Sequence, residues 1–238
     1  MFVPIHDKNP LKSIHFQYVT VGLIALNIAI YIAFHTGWFF EIDERLAAFT
    51  LIPSEFWIQG APFTDHASVP IGGFPVPERW TLVTYMFVHG NLMHLLGNML
   101  FLWVFGDNVE DAMGHVRFLL FYLMCGVFAG LSHTLVMKTS EIPVIGASGG
   151  VAGIIAAYLM LHPKVKIWVL ALWRIPMKIT AAWVLGFWVL LQVFSAVTSS
   201  GDGIAWWAHV GGLTAGAVLI LFMRRPGVAL FDQTQGGA

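Results

Sequence analysis

Of 238 residues, 58% are hydrophobic and only 11% charged, against roughly 25% charged in an ordinary soluble domain. So few charges do not cover the surface of a soluble protein this size, and the mean hydropathy of +0.75 points to a surface that faces lipid. The formal net charge of −1 provides no basic field for nucleic acid.

The first apolar run, Tyr18 to Phe40, is too long for the core of a secretory signal and lacks a small-residue cleavage site. It reads as a retained span. The opening residues are not Arg-rich, as those of an organelle transit peptide would be. A spanning helix needs about 20 mostly apolar residues. Six stretches meet or approach that requirement, at 18–40, 81–105, 116–137, 145–162, 178–199 and 204–223. The fourth is short and opens with small residues. The connection 41–80 is the sizeable loop, with Pro53, Pro62, Pro70, Pro75 and Pro77 among aromatic residues such as Phe56 and Trp57. That mixture suits a loop partly embedded in the membrane interface, and it also suits a solvated one. The expected fold class is therefore all-α, a polytopic six-span bundle. Residues 1–17 form a short arm, 18–224 the bundle and 225–238 a tail. No second domain or internal repeat is visible.

Lys and Arg set the orientation. With six spans both termini share one side, which holds Lys8, Lys12, Arg117, Lys164, Lys166, Arg174, Lys178, Arg224 and Arg225. The other side holds Arg45, Arg79 and Lys138. Nine against three places both termini in the cytoplasm and turns the 41–80 loop outward. The short arm and the lack of a targeting segment suggest a prokaryotic plasma membrane. The ten Trp fit membrane–water interfaces, and the lone Cys125, in an apolar run, reads as a buried structural thiol.

Strongly polar groups at membrane depth are expensive and therefore functional hypotheses by default. Three places stand out. In the second span, His89-Gly-Asn-Leu-Met-His94-Leu-Leu-Gly-Asn98 puts His94 and Asn98 four apart on one helix face. Such a pair either donates to an anion or acts as helix–helix glue. In the fourth, Gly146-Ala-Ser148-Gly-Gly150 places a serine between helix-breaking glycines at a helix start, where free N–H groups favour developing negative charge. A lone G-x-S-G is weak, because small residues also serve close packing. In the sixth, Ala208-His209-Val-Gly-Gly212 places a histidine on an apolar helix. Gly149, Gly153 and Ala157 on the fourth span, and Ala208, Gly212 and Gly216 on the sixth, form small-residue faces that let two backbones approach closely. If these faces meet, Ser148 and His209 come within hydrogen-bond reach. Ser148 is then a candidate nucleophile, His209 its general base, and the Ser148 N–H with His94 and Asn98 an oxyanion site. No Asp or Glu lies in the spans near them, and Asp202 sits some seven residues before His209, so a dyad is expected, its imidazole oriented by packing.

Together these segments resemble the rhomboid family of intramembrane serine proteases in its six-helix bacterial form. The matching stretches are HGNLMHLLGN at 89–98, GASG at 146–149 and AHVGGLTAG at 208–216, with FGDNVEDAMGH at 105–115 as a further likeness. The resemblance covers roughly residues 18–224. It implies Ser148 as nucleophile, His209 as base, and His94 and Asn98 at the oxyanion. It implies cleavage of single-pass membrane proteins in the bilayer through an acyl-enzyme, without cofactor or metal, with water reaching the serine from the outer face. Small residues at the cut and helix-destabilising residues below it are the family's preference. The outer loop and the fifth helix are its candidate gates. Two positions depart from the family pattern. Trp80 is followed by Thr81 rather than Arg, and Ala152 stands four after the serine, where an aromatic commonly packs on the histidine.

The main alternative is a non-catalytic rhomboid-like protein that binds membrane clients; such relatives typically lack the serine or the histidine, and this chain has both. A transporter would show paired broken helices, which the sequence does not. A metal site at His89, His94 and His209 would lack Cys or carboxylate ligands. His89 reads as structural support near the outer loop. Asp107, Glu110 and Asp111 are expected in a short cytoplasmic turn ahead of the third span.

Overall fold

The structure, a computed structural model, describes residues 2–36, 48–58, 76–171, 174–199 and 203–231. It is a helical bundle with a small sheet at one end. The elements are β1 (Phe2–Asp7), α1 (Tyr18–His35), α2 (Pro53–Ile58), α3 (Glu78–Thr84), a 3-10 turn at Tyr85–Phe87, α4 (Leu92–Met113), α5 (His115–Val136), α6 (Ser148–Leu161), β2 (Lys166–Ala171), β3 (Ile175–Thr180), α7 (Ala181–Thr198) and α8 (Trp206–Met223).

Four helices, α1, α5, α7 and α8, are each long and apolar enough to cross a membrane. The second expected span is not continuous. It is a pair, Glu78–Phe87 and Leu92–Met113, bent by 82°. The bend has a local cause. Asn91 is extended at φ −159° and ψ 168°, and its side chain accepts from the His94 N–H at 2.9 Å, so the chain stops and a new helix is capped there. The new helix α4 then runs to Met113, eight residues past the expected end. The fourth expected span is α6, only 14 residues long.

α6 is the core of the bundle. Every residue from Gly149 to Tyr158 is buried. Its small-residue face meets α8 directly. A Cβ placed on Gly212 would lie 2.1 Å from the Gly149 carbonyl oxygen, and one on Gly216 would lie 2.2 Å from that of Gly153. On another side, a Cβ on Gly153 would meet the sulfur of the buried Cys125 at 2.4 Å. Glycine is thus required because backbones touch. By contrast α7 leans on the bundle by one narrow stripe, Ala181, Val184, Leu185, Gln192 and Ala196. Trp183, Leu190, Phe194 and Val197 on it are exposed, as expected for a lipid-facing helix.

A three-stranded antiparallel sheet in the order β1-β2-β3 was not legible as such, and it adds strands to the all-α expectation. Phe2 pairs with Ala171, and Lys166 with Thr180. Ile167, Val169 and Ala171 alternate inward, the period of a half-buried strand. The arm is therefore structured and sits on the bundle end. Asp7 is buried there and accepts a 2.5 Å hydrogen bond from the Tyr158 hydroxyl of α6.

The acids expected in a turn ahead of the third span lie instead in the last turns of α4, where they tie the chain start to the bundle. Glu110 accepts from Val19 N at 3.0 Å, Thr20 N at 2.8 Å and Thr20 Oγ1 at 2.7 Å, so it caps α1. Asp111 accepts from the backbone N–H groups of Lys12, Ser13 and Ile14. A carboxylate at the positive end of a helix dipole is well placed electrostatically.

Of the outer loop, residues 41–47 and 59–75 lie outside the described residues. The described piece 48–58 is docked on the bundle rather than solvated. Leu51 and Phe56 are buried, Leu51 bridges Val144, and the Trp57 indole donates to the Thr134 carbonyl at 2.9 Å.

Candidate active site

The serine turn is built by contacts from three sides. Gly146 has φ +107°, a conformation that suits glycine, and its N–H donates to the Tyr85 carbonyl at 2.9 Å. The Ala147 N–H donates to His89 Nε2 at 3.4 Å, and the isolated Leu51–Val144 bridge pins the segment just upstream. α6 begins at Ser148, and the first helical bond runs from Val151 N to the Ala147 carbonyl at 3.0 Å. The N–H groups of Ser148, Gly149 and Gly150 precede that ladder at the positive end of the helix.

α8 brings His209 to this turn. Its Nε2 is 2.9 Å from Ser148 Oγ. The close α6–α8 approach makes that distance possible, because a Cβ on Gly212, one turn beyond His209, would force the helices apart. His94 and Asn98 face the same turn from α4. A Cβ on Gly146 would lie 2.5 Å from His94 Nε2 and 3.5 Å from Asn98 Nδ2. Asn98 Nδ2 also lies 3.1 Å from His89 Nε2, the same nitrogen that accepts from Ala147, so one buried imidazole steadies both walls of the turn. All four sequence-derived site residues are gathered round Gly146–Ser148. Asp202 lies outside the described residues.

Sequence reasoning missed two features. Gln192 of α7, 6% exposed, has Oε1 2.7 Å from His209 Nδ1. The signal was present, a strongly polar residue within an apolar span. The expectation of a dyad rests on the absence of acids, and a neutral amide falls outside that criterion. Secondly, the ring missing at Ala152 is supplied from elsewhere. Trp188 lies 6.4 Å from the His209 ring at 33°, and Trp206 meets it edge-on at 5.7 Å. Ala152 itself is buried in a small cluster with Ala156 and Leu213, against which Trp188 packs. At the other departure, the Thr81 hydroxyl turns inward and donates to the Glu78 carbonyl at 2.6 Å. A cavity of about 240 Å³ is bordered by His133, Val144, Ala196 and Trp206, the last of which also meets the His209 ring. Among the described residues no group of three or more His, Cys, Asp or Glu is arranged to hold a metal ion.

Fold and site define a polytopic helical membrane protein with a serine–histidine pair at the start of a buried helix. The Rhomboid domain family matches residues 76–226, which is most of the chain. Rhomboid-like protein 11, chloroplastic, of Arabidopsis thaliana is 31% identical over 169 residues, covering 66% of this chain and 57% of that protein. RHOMBOID-like protein 6, mitochondrial, of the same plant is 30% identical over 164 residues, covering 67% and 46%. Rhomboid protease GluP of Bacillus subtilis (strain 168) is 38% identical over 82 residues, covering 34% and 16%. The chain belongs to the rhomboid family, integral membrane proteins that include members named as proteases. It spans about half the length of the curated relatives it matches.

Proposed function

We propose that this chain is an intramembrane serine endopeptidase that cleaves transmembrane segments of single-pass membrane proteins. The observation that carries the reading is the 2.9 Å contact between His209 Nε2 and Ser148 Oγ at the N-terminus of a buried helix. Ser148 Oγ attacks the scissile carbonyl while His209 Nε2 takes its proton. The carbonyl oxygen gains the negative charge and is held by the Ser148 N–H with His94 and Asn98. Asn98 has two amide hydrogens, so the bond to His89 leaves one for the oxyanion. The tetrahedral intermediate collapses, the amine leaves with the proton from His209, and an ester to Ser148 remains. Water, deprotonated by His209, hydrolyses that ester and restores the serine.

The resemblance and the Lys/Arg bias support the finer assignments. The 18–224 bundle is the protease unit, flanked by the arm 1–17 and the tail 225–238. Both termini are cytoplasmic, and the serine opens toward the outer face. A prokaryotic plasma membrane rests on the sequence reading alone, since the relatives include chloroplast, mitochondrial and bacterial proteins.

The test is cleavage of single-pass test substrates by purified protein, with Ser148→Ala, His209→Ala and a metal chelator as controls. Chelator-resistant cleavage that vanishes in both variants upholds the dyad. Cleavage that survives Ser148→Ala overturns it. Folded protein that binds such substrates without cutting any favours the client-binding alternative.

A further inference from the structure

We propose that Gln192 is the positioning residue of His209 and that it acts by selecting the ring tautomer. The proposal rests on the reading of Ser148 and His209 as nucleophile and base. A general base needs a bare lone pair at Nε2, the nitrogen 2.9 Å from Ser148 Oγ, and therefore its hydrogen at Nδ1. Packing does not make that choice, because the two neutral tautomers have the same shape. The flanking Trp188 and Trp206 rings limit where the imidazole lies, and nothing in a ring face distinguishes which nitrogen carries the hydrogen.

Gln192 does distinguish them. Its Oε1 is 2.7 Å from His209 Nδ1, and its Nε2 points at the Trp188 carbonyl oxygen at 3.4 Å. The opposite amide orientation would set two oxygens against each other at Trp188, so that carbonyl holds Oε1 toward the histidine. A carbonyl oxygen only accepts, so the hydrogen sits on Nδ1 and Nε2 is left free. The serine hydroxyl then donates to it.

The choice of an amide suits the site. Gln192 is buried in a helix whose other buried residues are Ala181, Val184, Leu185 and Ala196, where an ionised carboxylate would lose its hydration. A neutral amide costs less to bury and still presents the negative end of its dipole to the imidazolium formed during the reaction. The third member that a soluble triad draws from an acid is thus an amide supplied by α7.

The experiment uses the full chain, with Gln192→Met, similar in size without the oxygen, and Gln192→Glu, which keeps the acceptor. Two quantities are read. One is kcat and KM on a single-pass test substrate. The other is the 15N spectrum of histidine-labelled protein, with His209 identified by its loss in His209→Ala. In the wild type, His209 carries its hydrogen on Nδ1. In Gln192→Met the hydrogen shifts toward Nε2 and kcat falls about 100-fold with KM little changed, the scale of lost base catalysis. Gln192→Glu recovers most of that loss. A wild-type ring protonated at Nε2, or a Met variant with kcat within about threefold of wild type, overturns the proposal. So does a fall in kcat with the tautomer unmoved. If the wild type cleaves no substrate, the protease reading fails, and the tautomer comparison alone decides the role of Gln192.

Discussion

Replacing Gly212 by Ala tests whether the α6–α8 approach sets the active-site geometry. The new Cβ would lie 2.1 Å from the Gly149 carbonyl oxygen and 2.9 Å from its carbon. Both are backbone atoms, so no side chain can swing away. Relieving 2.1 Å to the 3.4 Å of ordinary contact requires about 1.3 Å of separation between the helices. Ser148 adjoins Gly149, and His209 lies one turn before Gly212, so most of that displacement falls on the 2.9 Å contact between them. A shift of that size breaks the hydrogen bond, and misplacement by about 1 Å costs roughly 100-fold in rate. Overpacking destabilises by about 1–3 kcal/mol, so the protein remains foldable. The assay is kcat on a single-pass substrate beside the thermal midpoint in the same detergent. Gly186→Ala on α7 is the control, since a Cβ there meets nothing within 4 Å and should leave cleavage unchanged. A Gly212→Ala protein with wild-type kcat would refute the claim that backbone contact positions the dyad.

Further outcomes are expected elsewhere. Ala152→Tyr must force a ring into the buried cluster of Ala152, Ala156 and Leu213 against which Trp188 packs, lowering activity and costing about 1–3 kcal/mol; unchanged turnover would count against that packing. Glu110→Ala removes the acceptor of three hydrogen bonds at the start of α1 and should lower stability by about 2–3 kcal/mol, read from the thermal midpoint. Burial pushes the Asp7 carboxyl above its ordinary value, while the Tyr158 hydrogen bond opposes this. Its contribution is thus fully present below the unfolded value of 3.8 and is lost as pH rises through the folded one. Amide exchange in β1 should therefore quicken with pH beyond the intrinsic rate, and Asp7→Asn should flatten that excess. An excess that persists in the Asn variant would place its origin elsewhere.

The membrane-helix character and the clustering of the four candidate residues were legible, because apolar length and small-residue spacing are direct signatures of packed membrane helices. What was not legible depended on tertiary partners. The break at Asn91 is a local cap inside an otherwise apolar run, and hydropathy averaged over that run hides it. β2 and the first half of β3 lie between the expected fourth and fifth spans, the rest of β3 lies within the expected fifth span 178–199, and β2 is stabilised by pairing with a strand some 160 residues earlier in the chain. Glu110 and Asp111 were read as turn residues because their partners, the N–H groups of residues 12–14 and 19–20, are remote in sequence. Gln192 is visible in the sequence as a polar residue in an apolar span, but its pairing with His209 depends on how α7 packs beside α8.

The length of α6 carries one more consequence. Fourteen residues rise about 21 Å, well short of a hydrocarbon core of roughly 30 Å. A lipid-exposed helix with that deficit would thin the bilayer around it or drag flanking residues inward. α6 has no such mismatch to resolve, because its residues from Gly149 to Tyr158 meet protein on all sides. The 18- to 22-residue helices α1, α5, α7 and α8 match the bilayer in its place. The depth of Ser148 is therefore set by protein neighbours and is uncoupled from bilayer thickness, so thicker and thinner membranes should tilt the outer helices while leaving the serine where the bundle holds it.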